Sequence, residues 1–493
     1  MTVSPQLTIA LLCALLVPAS LAKAGPVEKF TQLALHPNDP NTLVLRYENA
    51  GDGLFYSHDG GKSFELVCGS LVDPDVTRFG VLAIAGDGSS LLGAFDGLWR
   101  GEAQGCSWQS ESSLQGKWVS DLSNDPNDAS VMYAITSTGA PAANGVYKRD
   151  AYGNWSALGQ QAPLFIDRLR VASLGGGKLR FYQSAVVGSY DPQATDPARY
   201  VVRVSNDLAA TWIEHEVAAP YAAIEGQALR LEAVDPSNPD RLLFSVLRDN
   251  APDDVLVSFD QGKTLSKLAQ VSGFGGATFA PDGRLWFGDA GELADTSQLY
   301  GLWFARNLES VPKPISRDYA VRCVSYQAAT DTLFVCQPYA FGAVDPTSGV
   351  PGVRFELAKA ANFASCTGVD LVGMCKAQLL RGYCGVTHFP EAPLCKPYGV
   401  LDSVAGCVSG VEAGCSAPLA GAAGNDGAPL SADAGTAIAA AHKPAAARDQ
   451  PAQCSVSDPG RTGRVRAWSA PSFTLFGLLV CAFSVRRRAR TLS

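Results

Sequence analysis

Charge is scarce in this 493-residue chain: Asp, Glu, Lys and Arg together make up 17%, against 47% hydrophobic residues. Methionine numbers only 3 and histidine 5. No Cys-x-x-Cys pair occurs and His388 is the one histidine within the cysteine-rich stretch, so a zinc-ribbon or zinc-finger site is excluded. The G-x-S-x-G, H-E-x-x-H and Walker patterns are missing too, which removes three familiar catalytic classes. What is plentiful is glycine, 49, and proline, 30, a balance that suits a turn-rich all-β protein rather than a helical one.

Charge is also unevenly spread. Residues 461–493 hold seven Arg and no acid. Taking these seven and Lys23 from the net charge of −8 leaves residues 25–460 at −16. A domain this acidic repels phosphate backbones, so no nucleic-acid partner is expected. Residues 1–24 read as a signal peptide: an apolar run from Leu7 to Leu16, then Pro18, then the small-x-small site Ala22-Lys23-Ala24.

The cysteines agree with export. Of 13, Cys13 lies in the signal, Cys481 in the C-terminal apolar stretch and Cys454 alone in a linker. The other ten are candidate disulfide partners: Cys68, Cys106, Cys323, Cys336, Cys366, Cys375, Cys384, Cys395, Cys407 and Cys415. Spacing suggests a cross-strand Cys323–Cys336 bridge and a Cys68–Cys106 link between neighbouring repeats.

Those repeats are visible as turns. Leu35-His36-Pro37-Asn38-Asp39-Pro40-Asn41, Leu122-Ser123-Asn124-Asp125-Pro126-Asn127 and Val234-Asp235-Pro236-Ser237-Asn238-Pro239 share one layout, and an apolar strand follows each. Pro fixes φ and Asn or Asp bonds its own backbone, so each cluster is a turn between strands. A second signature follows two of these about twenty residues on. Ser57-His58-Asp59-Gly60-Gly61-Lys62-Ser63-Phe64 matches Ser258-Phe259-Asp260-Gln261-Gly262-Lys263-Thr264-Leu265. A third copy, Ser205 to Trp212, has Ala209 in place of the glycine, and weaker relatives end in Trp108 and Trp155.

This S-x-D-x-G-x-[ST] pattern resembles the Asp-box of sialidase-like (BNR) β-propellers. The resemblance implies structural hairpins away from the ligand face, with Ser57, Asp59, Gly61, Phe64, Ser205, Asp207, Trp212, Ser258, Asp260 and Gly262 holding turns, and with Phe64, Trp212 and Leu265 buried. Blades are expected near 30–70, 78–113, 118–160, 165–216, 228–270, 275–316 and 320–358. That gives a single propeller of about seven blades over 25–360, with six and eight left open.

Beyond it, 361–415 carries six cysteines and reads as a small disulfide-dependent segment. Residues 416–460 lack Phe, Trp and Tyr and read as a flexible linker. The final segment, 461–493, has a 19-residue uncharged stretch from Ala467 to Val485 followed by four clustered Arg, the pattern of a transmembrane helix with its basic end inside. With Cys454 this tail resembles a myxobacterial-type C-terminal sorting signal, which implies a sorting protease, processing or lipidation at Cys454, and display on the cell surface.

No motif marks a catalytic residue, and neither cofactor nor metal is called for. The acids Asp253, Asp254, Asp289, Glu292 and Asp295 read as solvated loop charge rather than a Ca²⁺ site. Two-propeller xyloglucan hydrolases need a second propeller that this chain lacks. The expectation is a cell-surface module that binds a glycan or protein, with a glycoside hydrolase or lyase as the alternative. Paired, partly buried carboxylates in the central depression, flanked by aromatics, would favour the enzyme.

Overall fold

The computed structural model describes residues 29–375 except 49–52, 73–79, 103, 139–141, 189–195, 223–226, 249–250, 292–299, 339 and 357–360. The signal, the linker, the C-terminal segment, and Cys384, Cys395, Cys407, Cys415 and Cys454 lie outside the described residues. Among the described residues no helix is long and apolar enough to cross a membrane.

Seven antiparallel sheets follow one another along the chain, each built from four consecutive strands. They are blade one (Lys29–Cys68), two (Val81–Ser110), three (Val119–Ala162), four (Phe165–Glu216), five (Gln227–Val271), six (Phe274–Ser316) and seven (Cys323–Glu356). The first strands circle an axis, each touching the next, and that of blade seven touches that of blade one. This is a closed seven-bladed β-propeller.

Burial explains why the strands read as they do. The second and third strands of a blade are sandwiched between neighbouring blades, so Gly53–Ser57, Ser90–Ala94, Met132–Thr136 and Leu285–Asp289 are buried on both sides and almost continuously apolar. Outer strands such as Ser266–Val271 are largely open and polar. Because each blade is a simple meander, its first and third turns lie on one face of the ring. Its middle loop and the link to the next blade lie on the other. The first is called the hairpin face and the second the connecting face.

The four antiparallel strands of every blade are consecutive in the chain, and blade one alone gains a further strand from beyond blade seven. Blades one and seven meet through their first strands and through Phe64, whose ring lies 5.4 Å from Phe341 and 4.4 Å from Phe355. A strap then crosses the seam. Ala361–Phe363 adds a parallel fifth strand to the outer edge of blade one, opposite Phe64, Glu65 and Leu66. Two disulfides fasten it, Cys106–Cys366 and Cys68–Cys375. The Cys68–Cys106 pairing expected from spacing is therefore wrong: both cysteines sit where the strap passes, and each takes a partner from it. Cys366 and Cys375 belong to the propeller's own framework rather than to a self-contained six-cysteine knot. Cys323–Cys336 forms as expected, between residues directly opposite on adjacent strands.

Candidate functional site

The three Ser-x-Asp turns join the third and fourth strands of blades one, four and five, on the hairpin face. Their hydrogen bonds are nearly superimposable. The serine hydroxyl donates to Oδ1 of the aspartate at 2.9 Å for Ser57–Asp59 and 2.8 Å for Ser205–Asp207 and Ser258–Asp260. The same hydroxyl accepts the N–H of Gly61, Ala209 or Gly262 at 2.8–3.0 Å. The carboxylate also accepts the N–H and hydroxyl of Ser63, Thr211 or Thr264. Burial pushes Asp59 and Asp260 upward, but these hydrogen bonds outweigh it and hold both below the usual carboxylate range. The Thr211 hydroxyl and N–H pull Asp207 down to about 2. Each acid is committed to its own turn.

The glycine position needs positive φ, +85° at Gly61 and +89° at Gly262. It also sits against the preceding blade. A Cβ at Gly61 would lie 2.6 Å from Phe341, and one at Gly262 would lie 2.4 Å from Val202. Ala209 occupies the same position at φ +63°, with its carbonyl accepting the N–H of Gln160 in blade three, so this turn keeps the geometry of the other two at the cost of backbone strain. Of the three residues expected to be buried, Phe64 is. Trp212 and Leu265, at the same position of their turns, are only half-buried, because the outer edges of blades four and five carry no added strand like the one that lies along Phe64 in blade one. The Arg203 guanidinium covers the Trp212 ring at 4.7 Å.

The loop acids are not solvated charge. Asp289 is fully buried and accepts the Ser272 N–H and hydroxyl and the Gly291 N–H. Asp253 accepts the N–H groups of Arg248 and Phe274. Asp254 pairs with Arg248 at 2.7 Å and Lys267 at 2.6 Å. Three carboxylates that sequence proximity grouped together are thus spent separately, each on its own surroundings. Glu292 and Asp295 lie outside the described residues.

A different constellation stands on the connecting face. Phe95, from the middle loop of blade two, is 48% exposed. Its ring centroid is 4.7 Å from that of half-buried Trp118, in the link between blades two and three. Trp118 in turn is 5.3 Å from half-buried Phe165, which opens blade four. The backbone under this row is tied down. Trp118 donates its N–H to the Thr138 hydroxyl and accepts that of Ser137. The Ser137 hydroxyl accepts the Ile166 N–H. Buried Asn144 accepts the Thr138 N–H and donates to the carbonyls of Thr138 and Leu164. The backbone beneath Trp118 and Phe165 is therefore held in place by hydrogen bonds to its neighbours.

From this row the first strands of blades three (Val119–Asn124), four (Phe165–Gly175) and five (Gln227–Val234) run inward carrying charge. Asp121 accepts the Leu169 N–H at 2.9 Å and pairs with Arg170 at 2.7 Å. Arg170 also donates to the Glu232 carbonyl, so one side chain links three blades. Asp167 faces Arg230 at 3.4 Å, and Glu232 accepts the Ser245 hydroxyl at 2.5 Å. Burial opposes the charge on Arg168, but the carboxylates of Asp167, Asp121 and Glu232 outweigh it and raise its pKa. None of these six charged residues, nor any of the three aromatics, was singled out by sequence. Their one signal is position, since Trp118 and Phe165 fall at the starts of first strands and the six charges lie within them. Among the described residues no group of His, Cys, Asp and Glu is arranged to hold a metal.

No family model and no curated protein matches the sequence. Solved structures similar to the chain include a GH74 xyloglucanase from Xanthomonas campestris, 18% identical over 66% of this chain and 54% of its own, with a TM-score of 0.42. An ancestral GH74 enzyme is 12% identical over 66% of this chain and 47% of its own, at 0.48. YCF48 bound to D1 peptide is 16% identical over 64% of this chain and 92% of its own, at 0.41. The chain spans about half the length of the two GH74 structures. These likenesses concern the propeller fold alone.

Proposed function

We propose that this chain is a cell-surface binding module that takes an extracellular glycan or protein ligand on the connecting face of its propeller. The observation that carries the reading is the row Phe95–Trp118–Phe165: large rings partly open to solvent on a backbone already fixed by hydrogen bonds. Rigid aromatics supply contact area with little further loss of conformational freedom on binding.

The neighbouring acids support binding over catalysis. A glycosidase uses one carboxyl group to hand over a proton and a second to attack or to activate water. Here Asp121 and Asp167 face guanidiniums and Glu232 accepts a serine hydroxyl. The hydrolase or lyase alternative rests on the same three acids lying beside aromatics. The three Ser-x-Asp turns, read as Asp-boxes, fit a structural role on the opposite face.

Surface display is proposed from the sequence: a signal at 1–24, then a tail that a sorting protease cuts near Cys454, which carries a lipid, or in which residues 467–485 stay in the membrane. A glycan array combined with a glycosidase and lyase panel tests the function. Binding without turnover is expected, weakened about tenfold or more by Trp118→Ala. Turnover abolished by Asp121→Asn or Glu232→Gln would establish the enzyme instead.

A further inference from the structure

The wall beside the aromatic row has a charge balance that restricts its ligand. On the first strands of blades three, four and five stand three carboxylates, Asp121, Asp167 and Glu232, and three guanidiniums, Arg168, Arg170 and Arg230. The first strands of blades two, six and seven carry no charged residue. The balance is local, because residues 25–460 as a whole stand at −16 once the seven C-terminal Arg and Lys23 are taken from −8. An anionic ligand here gains from each guanidinium roughly what it loses to the adjacent carboxylate, and a cationic ligand meets the converse.

A wall that alternates carboxylate and guanidinium offers acceptors beside donors. A hydroxyl group, which both donates and accepts, uses the two together. Arg168 has the most to give: among the described residues no carboxylate touches its guanidinium, whose Nη1 lies 3.5 Å from the Asp167 carbonyl. The ring planes of the aromatic row are tilted by 38° and 58° from one neighbour to the next. They make a curved surface, which a single flat ring cannot follow but a chain of rings joined by rotatable bonds can. A sugar chain has that shape, with apolar C–H faces for the aromatics and hydroxyl edges for the polar wall.

Building on the binding-module reading, we infer that the ligand is an uncharged glycan whose sugar rings pack on Phe95, Trp118 and Phe165 while its hydroxyls are shared between the wall carboxylates and Arg168. Titration calorimetry on the full-length protein in detergent tests this, with neutral gluco- and manno-oligosaccharides, oligouronates, sialylated oligosaccharides and a basic proline-rich peptide at low and high salt. A neutral oligosaccharide should bind with less than about twofold change in affinity between the two salt conditions. Trp118→Ala should weaken it about tenfold or more, Phe95→Ala and Arg168→Gln about threefold or more, and Trp118→Phe should restore most of the loss. Preferred binding of a uronate, a sialylated sugar or the peptide, lost in Trp118→Ala, overturns the uncharged glycan and leaves the binding face standing. Binding of no probe, or of a probe indifferent to Trp118→Ala and Phe95→Ala, overturns both.

Discussion

On the hairpin face, Asp59, Asp207 and Asp260 each close a turn within four residues of themselves. On the inner wall, Asp121 binds Leu169 and Arg170, 48 and 49 residues away in the next blade. The same side chain serves two purposes. Local carboxylates make each hairpin complete in itself, whereas long-range ones hold neighbouring blades in register around the axis. The first kind repeats in the sequence because every blade faces the same local problem. The second follows no repeat: besides Asp121 it includes Asp87 with Arg149 across blades two and three and Asp253 with the Phe274 N–H across blades five and six, each at a different position in its blade.

If long-range links hold the ring and local ones hold the blades, severing the longest link should have the largest effect. Cys375→Ser, which breaks a bridge between residues 307 apart in sequence, should lower stability by about 2–5 kcal/mol in denaturant titration. A loss well under about 1 kcal/mol would mean that packing across the seam of blades one and seven suffices. Next in size comes Gly262→Ala, which forces positive φ on alanine and drives its methyl into Val202 of blade four. It should cost about 2–3 kcal/mol, with Ala209 as the natural case in which the neighbouring blade accommodates a methyl.

The smallest effect belongs to a single local turn. Asp260→Ala should cost about 1–2 kcal/mol and leave ligand binding on the opposite face unchanged. The turn acids have folded pKa values below the unfolded value of about 4. The stability they contribute is therefore full above about pH 4 and is lost as pH falls toward the folded values. Buried Asp289 runs the other way: its folded pKa is raised, so its contribution favours the folded state in acid and is lost as pH rises through that value. Acid unfolding followed by tryptophan fluorescence should accordingly be shallower in Asp260→Asn than in the parent, and an unchanged slope would remove the turn acids from the account.

The comparison also explains what the sequence could reveal. A propeller of about seven blades was legible, with six and eight still open, because Asp-Pro-Asn turns, Ser-x-Asp turns and short apolar strands recur, and each is a problem solved within a few residues. Cys323–Cys336 was legible for the same reason, being a hairpin pair. The partners of Cys68 and Cys106 were not, since the strap meets them only after the whole ring has been built. The aromatic row was hidden more thoroughly. Phe95, Trp118 and Phe165 come from blade two, the link after it and blade four, and nothing in their immediate neighbours sets them apart from core aromatics such as Phe181 or Phe244.

The strap has a mechanical side as well. The Cys68–Cys375 bridge makes residue 375 a branch from the outer strand of blade one. Tension applied anywhere beyond it enters the ring there and bypasses blade seven, whose last strand would otherwise be the first to peel. With Cys106–Cys366 intact as well, that pull is divided between blades one and two. A ring hauled on by its C-terminal end is thus gripped at its first two blades, and the other five ride along unloaded.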